Sequence, residues 1–236
     1  GDMIWQFSDS FGPPVYWMEK KEIMNDLMRR ERYRRQKTIK NKQNFVPRIH
    51  ADDYRLAWRK LTNSTNKRTF ISTILPPNSV LGNSLNYLWP HQFDEQHNDY
   101  VKSFSYNETL FLCGLFNSFI IDFVMRRRIN TNLTVYFVKE LPVPSFDENN
   151  ILHKKILKNS SMLICTTDEY AKLREKVGIL EYVTEPEKRL VLEAQINAAA
   201  AKIYDLTKEE FEYILESFPS VDKKLKESTM REFLLL

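Results

Sequence analysis

The sequence predicts an α+β fold: a mixed-sheet domain with a long buried helix over residues 1–144, then a helical tail over 145–236. Three observations carry this. Tyr54–Asn78 (YRLAWRKLTNSTNKRTFISTILPPN) alternates apolar and cationic residues with the period of two of a half-buried strand. Leu110–Met125 (LFLCGLFNSFIIDFVM) is the only long apolar run. Beyond Pro144 the chain turns helical and acidic, punctuated by Thr-x-x-Glu boxes that open helices. The tail is expected as a hairpin or small bundle packed on the first domain or on a partner domain.

Taken in order, Ile4–Trp17 reads as an extended aromatic segment broken at Gly12-Pro13-Pro14, with Trp17 leading into a helix. Glu19–Tyr33 is helical, with Ile23 and Leu27 one turn apart, and basic residues crowd Arg29–Lys42. In Tyr54–Asn78 the apolar face is Tyr54, Leu56 and Trp58. Arg55 and Arg59 share the other face, about 13 Å apart at strand rise. A polar hinge, Thr62–Lys67, leads to a second strand, Arg68–Leu75, that stops at Pro76-Pro77. Gly82–Tyr100 reads as an irregular connection. Ser105 and Glu108 form a capping box for the apolar helix, which ends in Arg126, Arg127 and Arg128. Cations there suit the negative end of the helix dipole. Leu133–Lys139 reads as a strand, ended by Leu141-Pro142-Val143-Pro144.

In the tail, Ile151–Ile164 is one helix. Thr166 with Glu169, Thr184 with Glu187, and Thr207 with Glu210 cap three more, Pro186 serving in the first turn of the second of these. Leu192, Ile196, Ala199 and Ile203 form a helical stripe, and Ala198–Ala201 permits close helix contact. Phe211, Ile214, Leu215 and Phe218 line one face of the last helix.

Composition narrows the function. Hydrophobic residues make up 42% of the 236, enough for a packed core. Only 5 glycines are present, with neither GxGxxG nor GxxxxGK[ST]. Leu110–Met125 is shorter than the ~20 residues a bilayer needs and contains Asn117, Ser118 and Asp122, so it is expected as a core helix with no membrane role. Cys113 and Cys165 sit in or beside apolar runs and read as buried thiols of a reducing, cytoplasmic compartment. The chain opens with no signal peptide and begins abruptly at Asp2-Met3, as a piece cut from a longer protein. Up to Glu140 there are 21 Lys and Arg against 14 Asp and Glu; the remainder has 14 against 17. The first part is therefore the expected partner of a polyanion.

Catalytic patterns are not evident. His91 and His97 lie near Asp94, Glu95 and Asp99, but without the spacing of a metal site. No serine has a nucleophile-elbow context and no cysteine pairs with a histidine. Neither Gly12-Pro13-Pro14-Val15 nor Leu75-Pro76-Pro77-Asn78 is the Asn/Asp-Pro-Pro-Tyr/Phe loop of an adenine methyltransferase, and no PD…(D/E)xK nuclease pattern is found. The chain is expected to bind rather than catalyse.

Four segments together resemble one family: MIWQFSDSFGPPVYW, YRLAWRKLTNSTNKRTFISTILPPN, LFLCGLFNSFIIDFVMRRRINTNLTVYFVKELPVP and RLVLEAQINAAAAKIYDLTKEEFEYILESFP. In that order they are similar to the C-terminal target-recognition region of type IIG (also type IIS) restriction–modification enzymes with an adenine-N6 methyltransferase core, and of related phage-resistance methyltransferases. The resemblance implies a parent protein with nuclease and methyltransferase domains, using S-adenosylmethionine and Mg²⁺ outside this chain, and a module that grips double-stranded DNA while an adenine is flipped out.

The expected DNA-binding residues are Arg55 and Arg59, the hinge Asn63, Ser64, Thr65, Asn66, Lys67 and Arg68, and Arg126, Arg127, Arg128, Asn130 and Asn132. Guanidinium, ammonium, amide and hydroxyl groups of this kind contact phosphates and base edges. Because these positions belong to shared motifs, they are expected to hold the backbone. Base readers are expected in Arg29–Arg48 or Leu85–Lys102. Two other classes stand beside this one: a helical interaction module that docks a methyltransferase core or second subunit through Leu192 and Ile196, and a metal nuclease built on His91, His97 and Asp94.

Overall fold

The structure is a computed structural model describing residues 4–10, 12, 18–39, 45–129 and 131–236. Asp2-Met3, Pro13-Pro14-Val15, Trp17, Lys42 and Asn130, all invoked above, lie outside the described residues. The fold is α+β, with two small antiparallel sheets and a helical C-terminal region.

Helix α1 (Lys20–Arg35) comes first. It is followed by β1 (Arg55–Arg59), β2 (Ser72–Leu75), β3 (Leu85–Tyr87), β4 (His91–Asp94) and β5 (Asp99–Lys102). Strand β1 lies between β2 and β3, with Arg55 opposite Leu75 and Ala57 opposite both Thr73 and Tyr87. β4 and β5 form a separate hairpin. The irregular connection expected over 82–100 thus holds two strands and half of a third. They are only three or four residues each, too short to give a period.

Within the segment read as extended, Trp5–Ser8 forms a turn. Trp5 and Ser8 exchange backbone hydrogen bonds of 2.9 and 3.1 Å, Phe7 takes a positive φ of 58°, and Phe7 N–H donates to Ser72 O. This turn matters because it covers the sheet. Leu56 and Trp58 face the main core as the alternation predicts, but the opposite face is also covered. Ile4 packs there against Ala57 and Leu75, with Leu81, Leu85 and Tyr87 around them. A face expected to meet solvent is roofed by two segments, 4–8 and 79–81.

The long apolar run is two helices, α2 (Tyr106–Phe116) and α3 (Phe119–Arg126), bent 61° apart. The Ser105–Glu108 capping box opens α2 as expected. The break is made by two of the polar residues in the run, Asn117 and Ser118. Asn117 turns its amide to β2 and pairs with Ser72 as another strand would, Nδ2 donating to Ser72 O (2.9 Å) and Oδ1 accepting from Ser72 N (3.0 Å). Ser118 caps α3 by accepting from Ile121 N. No single helix among the described residues is long and apolar enough to cross a membrane.

Leu133–Lys139 is not a strand. Val135–Lys139 forms α4, with Val138 buried in it and Leu133 and Leu141 buried on either side. β-branched and aromatic residues favour a strand only where a partner edge exists. Here Leu133 is held by Lys60 O, and its own carbonyl accepts Trp58 Nε1–H at 3.1 Å.

The tail comprises α5 (Ile151–Ile164), α6 (Ala171–Val177), α7 (Pro186–Ile203), α8 (Lys208–Glu216) and α9 (Lys223–Leu235). The Thr207–Glu210 box caps α8 and Pro186 starts α7 as expected. Two expected caps do not form. α6 follows a 3-10 turn at Asp168–Tyr170, and Glu185 rather than Thr184 precedes α7. α9 was not foreseen. Its inward stripe is Leu225, Thr229 and Phe233, and the threonine interrupts the apolar repeat.

The tail packs on the first part in one continuous core. Helix α5 lies so close to α2 that a Cβ on Gly114 would stand 2.4 Å from Ile156 Cγ2 and 2.5 Å from Ser160 Oγ. Ala198–Ala201 are fully buried between neighbouring helices, and Ile196 is enclosed with them. The Leu192–Ile203 stripe is thereby largely used inside the chain.

Candidate nucleic-acid interface

The hinge between β1 and β2 is a tightly bonded loop. Asn63 Oδ1 accepts from Thr65 N (3.1 Å) and Thr65 Oγ1 (3.2 Å), an Asx turn, and Asn66 N–H returns to Asn63 O. Thr62 and Thr69 close its base, Thr62 Oγ1 donating to Thr69 O and Thr69 Oγ1 to Asn63 O.

Beneath the loop lies a buried ionic cluster. Asp122 of α3 is fully enclosed. Its carboxylate is 2.9 Å from Arg68 Nε and 3.6 Å from Arg126 Nε, and accepts from Thr69 N and Phe70 N. Arg68 is 3% exposed, donates to Asn117 O, and lies over the Phe119 ring at 4.4 Å. Arg126 donates to the carbonyls of Asn66 and Lys67, so the helix end grips the loop backbone. Burial pushes the Asp122 carboxyl above its usual range and the Arg68 guanidinium below its own.

A second loop joins this end. Thr62 N–H donates to Thr131 O, and Leu61 bridges Asn132. The structure therefore brings Asn63, Ser64, Thr65, Asn66 and Lys67 together with Arg127, Arg128 and Asn132. All of these are exposed except the half-buried Ser64. Arg127 stacks on Phe123 (4.1 Å) and touches Tyr213 Oη, while Arg128 has only a loose 4.0 Å contact with Glu140.

Three of the expected residues lie away from this exposed end. Arg55 and Arg59 share a face as predicted, but that face is roofed. Arg55 donates to Ser79 O and Arg59 to Ile4 O, so each guanidinium anchors one covering segment. Arg68 is enclosed with Asp122. Paired with Asp122 inside the protein, the Arg68 guanidinium is not presented to a phosphate outside.

Arginines that the strand pattern did not single out gather at the Arg55 end of β1. Arg30 and Arg34 of α1, Arg48 and Arg55 line a cleft of about 200 Å³ together with Glu31, His50 and Tyr87. The signal for Arg30 and Arg34 was the basic crowding of Arg29–Lys42, and Arg48 ends the segment in which base readers are expected. Only the fold shows that Arg55 meets them. Burial lowers the pKa of His50 to about 4, with His91 stacked edge-on against it at 4.8 Å.

The histidine–acid segment does not converge. His91 is buried at the start of β4, whereas His97 is in the exposed turn, 2.6 Å from Asp94. Among the described residues no three His, Cys, Asp or Glu side chains gather as a metal site.

No protein-family model, curated protein or solved structure matches this chain.

Proposed function

We propose that the chain is the DNA target-recognition region of a restriction–modification protein with an adenine-N6 methyltransferase core, and that it binds duplex DNA without chemistry of its own. The observation that carries this is the meeting of the Asn63–Lys67 loop with Arg127, Arg128 and Asn132 on one exposed end. Lys67, Arg127 and Arg128 neutralise phosphates. Asn63, Thr65, Asn66 and Asn132 supply amide and hydroxyl donors and acceptors. Arg126 and the Asx turn already bond the loop backbone, which lowers the ordering cost of binding. The residues for base reading are assigned to Arg29–Arg48 or Leu85–Lys102. S-adenosylmethionine and Mg²⁺ belong to the parent's catalytic domains, and the cytoplasm is where such an enzyme meets DNA.

The test is fluorescence anisotropy with a labelled duplex over a salt series. Binding should weaken steeply with salt. Lys67→Gln with Arg127→Gln should reduce the log–log salt slope by about 2, near 0.9 per lost phosphate contact. Weak binding with no salt slope, or a double variant that matches the parent, would sink the proposal.

A further inference from the structure

The cleft at the other end of β1 has features that DNA binding by the loop end does not explain. Its walls come from α1, from the His50–Asp52 turn, and from the strands β1 and β3 with the segment 79–81. Among the described residues, four guanidinium groups line it against a single carboxylate, Glu31. That carboxylate is already engaged: Arg34 lies at 2.6 Å, Arg35 at 2.8 Å, and Tyr100 Oη donates to it at 3.0 Å. Arg30 and Arg48 pair with Asp26 and Asp53 through side chains that remain 70% and 45% exposed. Such surface pairs contribute little and exchange readily for a better anion.

Arg55 is the distinctive member. It is 3% exposed and, among the described residues, has no carboxylate within ion-pair distance. One terminal nitrogen donates to Ser79 O and the guanidinium lies over the Tyr87 ring at 5.2 Å, but Nε–H has no hydrogen-bond partner. Leaving a buried cation uncompensated and a buried N–H unpaired is costly. In the Arg68 cluster the same side chain is matched by Asp122. In the cleft no such acid pairs with Arg55 among the described residues, and Arg55 lines the free space.

We infer that this cleft binds a phosphate group, with Arg34, Arg48 and Arg55 as its donors. Guanidinium forks arriving from α1, from residue 48 and from β1 suit a tetrahedral oxyanion, which accepts bonds from several directions. The volume decides how much of the ligand enters: about 200 Å³ is below the ~300 Å³ at which sites for whole small molecules begin. A phosphate fits and the rest of its molecule stays outside. Trp89, half exposed and 5.3 Å from the His50 ring, stands next to the cleft as a surface on which a base can stack. The phosphate has two possible sources, a free phosphate or phosphomonoester, and a backbone phosphate of DNA. This site stands on its own geometry and does not depend on the loop end.

The experiment titrates inorganic phosphate into the full chain at constant ionic strength, balanced with chloride, followed by calorimetry and by thermal melting. Phosphate should bind saturably and raise Tm. Arg34→Gln with Arg48→Gln should weaken phosphate binding at least tenfold while leaving the phosphate-free Tm unchanged. Arg55→Gln should do the same to binding. Should that variant unfold, the exposed double variant still decides. A duplex is then added to the phosphate-saturated protein. Displacement of phosphate assigns the cleft to a backbone phosphate, and binding alongside it assigns the cleft to a free phosphate. Heat and Tm changes no larger than those of chloride, or a double variant with the parent's affinity, would overturn the inference. The loop-end variant Lys67→Gln/Arg127→Gln should bind phosphate normally, so the two proposals fail separately.

Discussion

Two groups of arginines flank strand β1, and they have opposite fates. At its far end Arg68 and Arg126 close on Asp122, and every group in the cluster ties one segment to another: β2 to α3, and the hinge backbone to the helix end. At its near end Arg30, Arg34, Arg48 and Arg55 face a cleft whose one carboxylate is already shared. Exposure does not separate the two, since Arg55 and Arg68 are both 3% exposed. What separates them is whether an anion of the chain sits against the guanidinium. A buried arginine with its own acid is part of the scaffold. A buried arginine without one, beside an open space, marks a place for an anion from elsewhere.

The sharpest way to break this comparison is to remove the acid that defines the scaffold cluster. Asp122→Ala leaves Arg68 as an enclosed, unpaired cation and orphans the amides of Thr69 and Phe70. Loss of one partner of a buried pair costs about 3–5 kcal/mol, so the variant should unfold at markedly lower denaturant. Replacing both partners, Asp122→Leu with Arg68→Met, should recover a large part of that loss. If the single variant were as stable as the parent by chemical denaturation, the cluster would not be what holds the hinge.

How much of this was readable in the sequence depends on who supplies each residue's partner. Ser105–Glu108 and Thr207–Glu210 were legible because a capping box is complete within four residues. Helix α5 was legible for a similar local reason. The kink at Asn117 was not, because its cause is Ser72, a residue 45 positions away that the Asn117 amide pairs with. Leu133–Lys139 misled because its β-forming residues found no strand edge, only the carbonyl of Lys60 and a helical turn. The site divides in the same way. The exposed loop Asn63–Lys67 was visible as a polar run. That Arg55 and Arg59 are covered was not, because the covers are the turn at 4–8 and residues 79–81, brought over the sheet by the tertiary fold.

Glu31 is the intermediate case, an acid that recruits two arginines as Asp122 does but at the edge of solvent. It is the only buried residue of α1, and Tyr100 Oη and Arg35 bind it from the hairpin side. Glu31→Ala should cost about 2 kcal/mol through lost charged hydrogen bonds. The loss should appear as faster amide exchange in α1 ahead of the rest of the chain. Uniform destabilisation would instead place α1 within the main cooperative core.

His50 offers a smaller effect with a definite sign. Its folded pKa is lowered to about 4 from an ordinary 6.5, first by burial and then by His91. Between those values the unfolded chain holds a proton that the folded chain lacks. Stability is therefore complete above pH 6.5 and falls as pH drops towards 4. After allowance for partial exposure the loss is about 1–2 kcal/mol. His50→Gln should flatten that part of the pH–stability curve, and an unchanged slope would mean the proton is taken up elsewhere.

The smallest expected effect is the most discriminating. Arg34 and Arg48 carry formal charges beside the cleft and both form ion pairs, so by the scaffold pattern their loss should destabilise the protein. Their side chains are 57% and 45% exposed, however, and Glu31 keeps Arg35 and Tyr100 when Arg34 is gone. Arg34→Gln and Arg48→Gln should each change stability by less than about 0.5 kcal/mol. Removing two like charges from a cleft already rich in cations also relieves repulsion with Arg55, which offsets part of any loss. Equilibrium denaturation settles it. Losses of several kcal/mol would make these arginines scaffold like Arg68. Near-neutral values would mean that the chain keeps a cluster of cations its own folding does not need.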